Sequence, residues 1–200
     1  MTSGPKTLLQ LAGAPLAPAS LAEASVVVID AQCEYRDGAL PLTNVDPALV
    51  VIAGLLDRAR RAGAPVIHVA HKGRAGGLFD REGQGGDFLD AARPAPGETI
   101  VEKALPNAFV GTDLHRVLEA TGRSKLILVG FQTHMCVSAT ARAALDLGYL
   151  PTIAADGCAT RELPDPLTGE TIPAATLHMA ELAALADRFA IVVNAEAIPG

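Results

Sequence analysis

Along this chain, short apolar runs alternate with longer stretches in which apolar residues recur every three or four positions. The runs are "SVVVID" (25–30), "PVIHVAH" (65–71), "TIVEK" (99–103), "KLILVG" (125–130), "LPTIAAD" (150–156) and "AIVVN" (190–194). They are rich in β-branched residues and do not alternate with polar ones, which predicts strands buried on both faces. Between the first two, Leu49, Ile52, Ala53, Leu56 and Ala59 share one face at helical spacing. Asp46 is the expected N-cap of that helix, Pro47 its first residue and Gly63 its stop. Thr112 is expected to cap a second helix that Gly122 ends. Two more are expected over 134–147 and 174–189.

Strand and helix alternate to the end of the chain, so the pattern predicts one α/β domain, a parallel sheet covered on both faces by helices. Residues 1–23, rich in Ala, Pro and Leu without helical periodicity, read as an N-terminal arm lying on the domain or on a partner subunit. The domain proper takes 24–200. Residues 72–97 hold seven glycines and read as a long surface loop, a candidate lid, because loops of that length in compact domains usually carry function. "DPLTGETIP" (165–173) reads as another loop.

Half of the 200 residues are apolar, enough for a sizeable core, and the formal net charge is -6. Without a basic cluster, nucleic acid and anionic membrane are excluded as partners. The absence of Trp argues against a stacking platform for single strands. No apolar run is long enough to span a bilayer, and the N-terminus does not read as a signal peptide. The three cysteines, Cys33, Cys136 and Cys158, form no CxxC pair, which points to a reducing, cytoplasmic setting.

Functional groups of such sheets gather beyond the C-terminal ends of the strands. Asp30, Lys103 and Cys136 all fall there. With Thr133 as the helix cap, Cys136 sits on the first turn, where free N–H groups and the helix dipole are expected to pull the thiol pKa below about 8.5. A nearby Lys103 would lower it further, and Asp30 would take the thiol proton. Such a trio suits acyl transfer through a thioester. The spacing equally fits a bland arrangement. Cys136 shares a helix face with Thr140, Ala143, Ala144 and Leu147 and so fits core packing, Asp30 fits a turn cap, and Lys103 fits a solvated lysine.

The segment "GFQTHMCVSATARAALDLGY" (130–149) resembles the signature of the isochorismatase-like cysteine hydrolases. "VVVIDAQCEY" (26–35), "EKALPNAFVGTDL" (102–114) and "IAADGCATR" (153–161) resemble that family's Asp-x-Gln box, its lysine segment and the stretch after its fifth strand. The likeness runs over roughly residues 24–194 and implies a six-stranded, mostly parallel, Rossmann-like sheet. It further implies an Asp30–Lys103–Cys136 triad, an oxyanion hole of the Gln132 and Cys136 backbone N–H groups, and a cis Phe131–Gln132 peptide. Gln32, Tyr35, His71, Phe109 and Phe131 become the candidate substrate contacts.

The nicotinamidase branch of that family binds metal through an Asp-x-His run. Here the region reads "IHVAHKG", and His68 and His71, three apart on a strand, point to opposite faces. No metal and no cofactor are therefore expected. The branch that splits isochorismate has Gly where this chain has Cys136. The resemblance thus implies a metal-independent cysteine hydrolase cleaving a C–N bond of a small amide, carbamoyl or ureido compound. The alternatives are an idle family member serving as a binding or assembly protein, and a hydrolase for an ester or isochorismate-like substrate. The expected partners are a small-molecule substrate and further copies of the chain, as a dimer or larger. Cys33, Cys158 and His178 read as structural, and His134 as a first-turn residue facing cleft or water.

Overall fold

The computed structural model describes residues 4–200. Six strands form one sheet: β1 (Ala24–Ile29), β2 (Val66–His71), β3 (Thr99–Lys103), β4 (Lys125–Phe131), β5 (Leu150–Ala159) and, last in the chain, β8 (Ile191–Val193). Their order is β3-β2-β1-β4-β5-β8 and every pairing is parallel. The expected mostly parallel sheet is thus parallel throughout. Both sides of each inner strand are used. Val26 and Val28 of β1 enter one apolar cluster, Val27 and Ile29 the other.

The first cluster is closed by α2 (Val45–Arg61) through Leu49, Ile52, Leu56 and Ala59. The second is closed by α3 (Leu114–Ala120), α4 (Ser138–Asp146) and α5 (Ala174–Arg188), through Leu114, Leu118, Ala141, Ala144 and Leu185. From β1 the chain builds outward to β2 and β3, then returns to place β4 on the other side of β1. That reversal makes a switch point between the C-terminal ends of β1 and β4, where ligands of such sheets bind. There β4 approaches β1 closely: Gly130 has φ 121°, and a Cβ on it would lie 2.0 Å from the Ile29 carbonyl oxygen.

Several boundaries differ from the sequence reading. The arm contains a one-turn helix, α1 (Leu8–Leu11), with a capping box between Thr7 and Gln10. It lies on its own domain, Leu8 N donating to Asp187 Oδ1 of α5 at 2.7 Å. Helix α2 begins at Val45, not after Asp46: Asn44 takes the cap position in a left-handed conformation, and Asp46 lies in the first turn. The expected loop 165–173 folds as a small antiparallel hairpin, β6 (Leu163–Pro164) with β7 (Thr171–Ile172). Strand β5 runs three residues beyond its expected end. Its ladder with β4 passes from Leu128–Ile153 to Gly130–Cys158, so β5 bulges, and Asp156 in the bulge accepts the Ala195 N–H at 2.8 Å.

The glycine-rich segment is fastened to the domain. Phe79, Phe88, Leu89 and Ala92 are buried, and the buried Glu34 carboxylate accepts N–H groups from Ala39 at 2.6 Å and from Phe79 at 3.4 Å. A Cβ on Gly86 would lie 2.0 Å from the Asp80 carbonyl oxygen and 2.8 Å from Arg81 Cα, backbone that cannot swing aside, so the segment takes this turn only with glycine there. Gly86→Ala should therefore cost about 1–3 kcal/mol by overpacking, read from the midpoint of urea unfolding. A neutral outcome would show that the backbone at Asp80 gives way.

Candidate active site

Three strand ends deliver three side chains to the switch point. Asp30 follows β1 with φ 51°, a left-handed conformation that Asp tolerates better than most residues. Lys103 closes β3 and pairs in register with His71 at the end of β2. Cys136 follows β4. Lys103 Nζ lies 2.7 Å from Asp30 Oδ2 and donates to Cys136 Sγ at 3.3 Å. Asp30, Lys103 and Cys136 are 0%, 2% and 4% exposed. A lysine this buried is rare unless paired, so the solvated-lysine alternative does not describe Lys103. Nor is Cys136 mere filler between apolar groups, since an ammonium lies against its sulfur.

The local backbone around Cys136 is not the one expected. Residues Thr133–Val137 form a π-helical turn, with the Gln132 carbonyl accepting from Met135 N at 3.0 Å and from Val137 N at 3.2 Å, before α4 starts. Single π turns inside helices are frequent at functional sites. The preceding Phe131–Gln132 peptide is cis, as the resemblance implied. Thr133 does not cap the helix. Its hydroxyl bonds the Ala159 carbonyl at 3.2 Å and His178 Nδ1 at 2.9 Å, tying β4 to β5 and α5.

The electrostatics also reverse one expectation. The Cys136 thiol is pushed up to about 12, by burial first and then by the Asp30 carboxylate, against the opposing pull of Lys103. At neutral pH the thiol keeps its proton. Burial likewise raises Asp30 above the ordinary carboxylate range, with Lys103 offsetting part of the shift. A raised carboxylate beside a neutral thiol is a better proton acceptor than an ordinary one.

Of the five candidate substrate contacts, the Gln32 side chain binds backbone on both sides. Its Oε1 accepts from His71 N at 2.8 Å, and its Nε2 donates to the carbonyls of His71 at 3.0 Å and Gly86 at 2.9 Å. That amide clamps the end of β2 and the glycine-rich segment to the loop after β1. Tyr35 is buried with its ring edge-on to Phe79 and Phe131; burial first, and then the Asp30 carboxylate, hold its hydroxyl above the ordinary tyrosine range, with Arg161 pulling the other way. His71 Nδ1 meets Lys103 Nζ at 3.3 Å. Phe109 has a ring partner of its own, stacked on Tyr149 at 6.0 Å. His68 is occupied by Glu98 at 2.8 Å.

Two groups near the site were given too little weight by the sequence. His134 has Nδ1 on Thr160 Oγ1 at 2.5 Å, while its buried Nε2 has no partner among the described residues; the buried Nε of Arg161 and Oε1 of Gln132 are likewise unpartnered. Arg161 stands beyond the end of β5, so the rule that pointed to Asp30, Lys103 and Cys136 would have found it too. Clefts of about 640 Å³ along β3 and 480 Å³ beneath the arm lie away from this cluster. Among the described residues no group of three or more His, Cys, Asp or Glu is placed to hold a metal ion, and no helix is long and apolar enough to cross a membrane.

Comparison with known proteins bears on the same segments. The isochorismatase domain profile matches residues 24–197. The crystal structure of an isochorismatase from Pseudomonas putida KT2440 superposes with a TM-score of 0.92 at 44% identity, covering 97% of this chain and 99% of that one. A secreted isochorismatase effector of Verticillium dahliae is 36% identical over 187 residues, 93% of this chain and 95% of its own. A streptothricin hydrolase of Streptomyces noursei is 35% identical over 176 residues, 88% of this chain and 64% of its own. More distant relatives are named as amidohydrolases of ureidoacrylate and of maleamate.

Proposed function

This chain belongs to the isochorismatase family of hydrolases, and from that premise we propose that it cleaves a C–N bond of a small amide, carbamoyl or ureido compound through a thioester on Cys136. The observation that carries the proposal is the buried ammonium of Lys103, 2.7 Å from a carboxylate and 3.3 Å from a thiol. Relatives named as amidohydrolases support the substrate class.

In this mechanism Asp30 takes the thiol proton as Sγ attacks the carbonyl carbon. Lys103 keeps the carboxylate beside the sulfur and stabilises the negative charge as it passes from one to the other, and the N–H groups of Gln132 and Cys136 receive the oxyanion, which is commonly the largest catalytic contribution. When the tetrahedral adduct collapses, the C–N bond breaks and ammonia or an amine leaves with the proton from Asp30. Water then attacks the thioester and gives a proton to Asp30, the acid is released, and the sulfur recovers its proton. Asp30 thus serves in turn as base and acid, and no metal takes part. The test is ammonia release across a panel of small amides, carbamoyl and ureido compounds, with acid-quenched protein examined by peptide mass spectrometry. An acyl adduct on the Cys136 peptide is expected; turnover without one would overturn the thioester route.

Arg161 narrows the substrate. No carboxylate of the described residues lies within ion-pair distance of it, and its charge acts on both Tyr35 and His134. We assign it to an anionic group of the substrate. Arg161→Met should raise KM for a carboxylate-bearing amide by about 10–100-fold, the worth of a hydrogen bond to a charged group. It should leave kcat, and the KM of neutral amides, nearly unchanged. Equal losses on both substrate types would remove Arg161 from this role.

A further inference from the structure

The mechanism above gives His71 no part, yet its ring is built into the site. The Gln32 amide grips the His71 N–H and carbonyl together, at 2.8 and 3.0 Å, which fixes where the ring leaves the backbone. One flank of the ring meets the edge of Phe79 at 5.1 Å between centroids. Its Nδ1 lies 3.3 Å from Lys103 Nζ. An ammonium has three donors and no acceptor, so this contact is a hydrogen bond only if Nδ1 carries no proton. The geometry therefore selects the neutral imidazole with its hydrogen on Nε2.

Resting on the assignment of Lys103 to the catalytic cluster, we propose that His71 is a positioning residue, whose Nδ1 accepts from the Lys103 ammonium and keeps Nζ between Asp30 and Cys136. Lys103 has three donors and meets three acceptors: the Asp30 carboxylate, the Cys136 sulfur and the His71 ring. Without the third, the long side chain regains rotameric freedom, and small misplacements of reacting groups are costly, about 10²-fold for 1 Å. Burial and the Lys103 charge hold His71 below its ordinary value, and Asp30 pulls it part of the way back. The neighbouring Lys72 is turned to Glu102 at 2.8 Å, and Phe79 is uncharged. Protonation of the ring turns Nδ1 into a donor facing another donor and sets two cations side by side. The ring thus favours Lys103 in place when neutral and opposes it when charged.

Long-range ¹H–¹⁵N spectra of the histidine rings, recorded across an acid-to-neutral pH series, test this directly, with His71→Asn identifying the signals. The expected result is an Nε2–H tautomer for His71 with a midpoint below 6.5 that rises in Lys103→Met. An Nδ1–H tautomer, or a midpoint indifferent to Lys103→Met, would overturn the proposal. If that variant does not fold, the wild-type tautomer alone decides. These spectra need no substrate, so they stand or fall apart from the hydrolase reading. With an accepted amide in hand, His71→Leu should lower kcat by about 10²-fold with little change in KM. His71→Asn, which keeps an acceptor close to the Nδ1 position, should recover most of that loss. No recovery in His71→Asn would count against the proposal as well.

Discussion

Cys136→Ala is expected to lower kcat/KM for any accepted amide by at least about 10⁴-fold, the scale on which loss of a member of a catalytic triad acts. Of the groups meeting at the switch point, Cys136 is the one that the proposed thioester route uses as nucleophile. Asp30 is held by the ammonium at 2.7 Å, and Lys103 is itself saturated by its three acceptors. Folding should survive, because the exchange removes one small buried atom. Retention of more than about a tenth of wild-type kcat/KM, a change under about 1.4 kcal/mol, would remove Cys136 as nucleophile.

Asp30→Asn separates two accounts of the thiol. If Cys136 were a standing thiolate made by Lys103 and a helix terminus, Asp30 would matter little to its alkylation. In this structure the Asp30 charge is one of the causes holding the thiol up at about 12. Removing that charge while Lys103 stays must bring the thiol down. Asp30→Asn is therefore expected to react faster than wild type with iodoacetamide near neutral pH, mapped to the Cys136 peptide, while losing hydrolysis for want of a base. Gain in one assay and loss in the other is the signature of a proton acceptor. Parallel losses in both would contradict it.

How far the sequence alone reaches follows from how local each signal is. The six strands were legible because each is a short β-branched run, and α2 because Leu49, Ile52, Leu56 and Ala59 recur at helical spacing. Asp30 and Lys103 stood out as charged residues closing apolar strands, but spacing left them and Cys136 open to structural roles, and it was the family resemblance that drew the three together. The side-chain clamps were not. Gln32 reaches backbone 39 and 54 residues away, and Glu34 reaches Phe79 45 residues on, contacts that leave no periodic mark. The direction of the thiol shift was misread for the same reason. First-turn position, visible in the sequence, favours a thiolate, whereas burial and the approach of Asp30 exist only after folding. The hairpin of β6 and β7 has two-residue strands, too short for any pattern to register.

The buried pair itself yields the second large effect. Lys103→Met should cost about 3–5 kcal/mol of stability at neutral to basic pH, the penalty for leaving one partner of a buried ion pair uncompensated. Asp30 is wholly buried, and Lys103 supplies the two largest influences that lower its pKa. Without them the folded-state value moves further above the unfolded 3.8. A carboxyl raised by folding contributes its stability fully below the unfolded value and loses it as pH rises through the folded one. The deficit of Lys103→Met relative to wild type should accordingly shrink on acidification toward about pH 4–5 and be largest near about pH 8. Adding Asp30→Asn removes the stranded charge, so the double variant should recover most of the loss at about pH 8 and show little pH dependence of its own. Urea unfolding of the two single variants and the double at both pH values measures the cycle. A Lys103→Met protein as stable as wild type at about pH 8 would mean that Asp30 carries no charge in the folded protein. A carboxyl already protonated has no room for the thiol proton, and the assignment of Asp30 as base would fail with it.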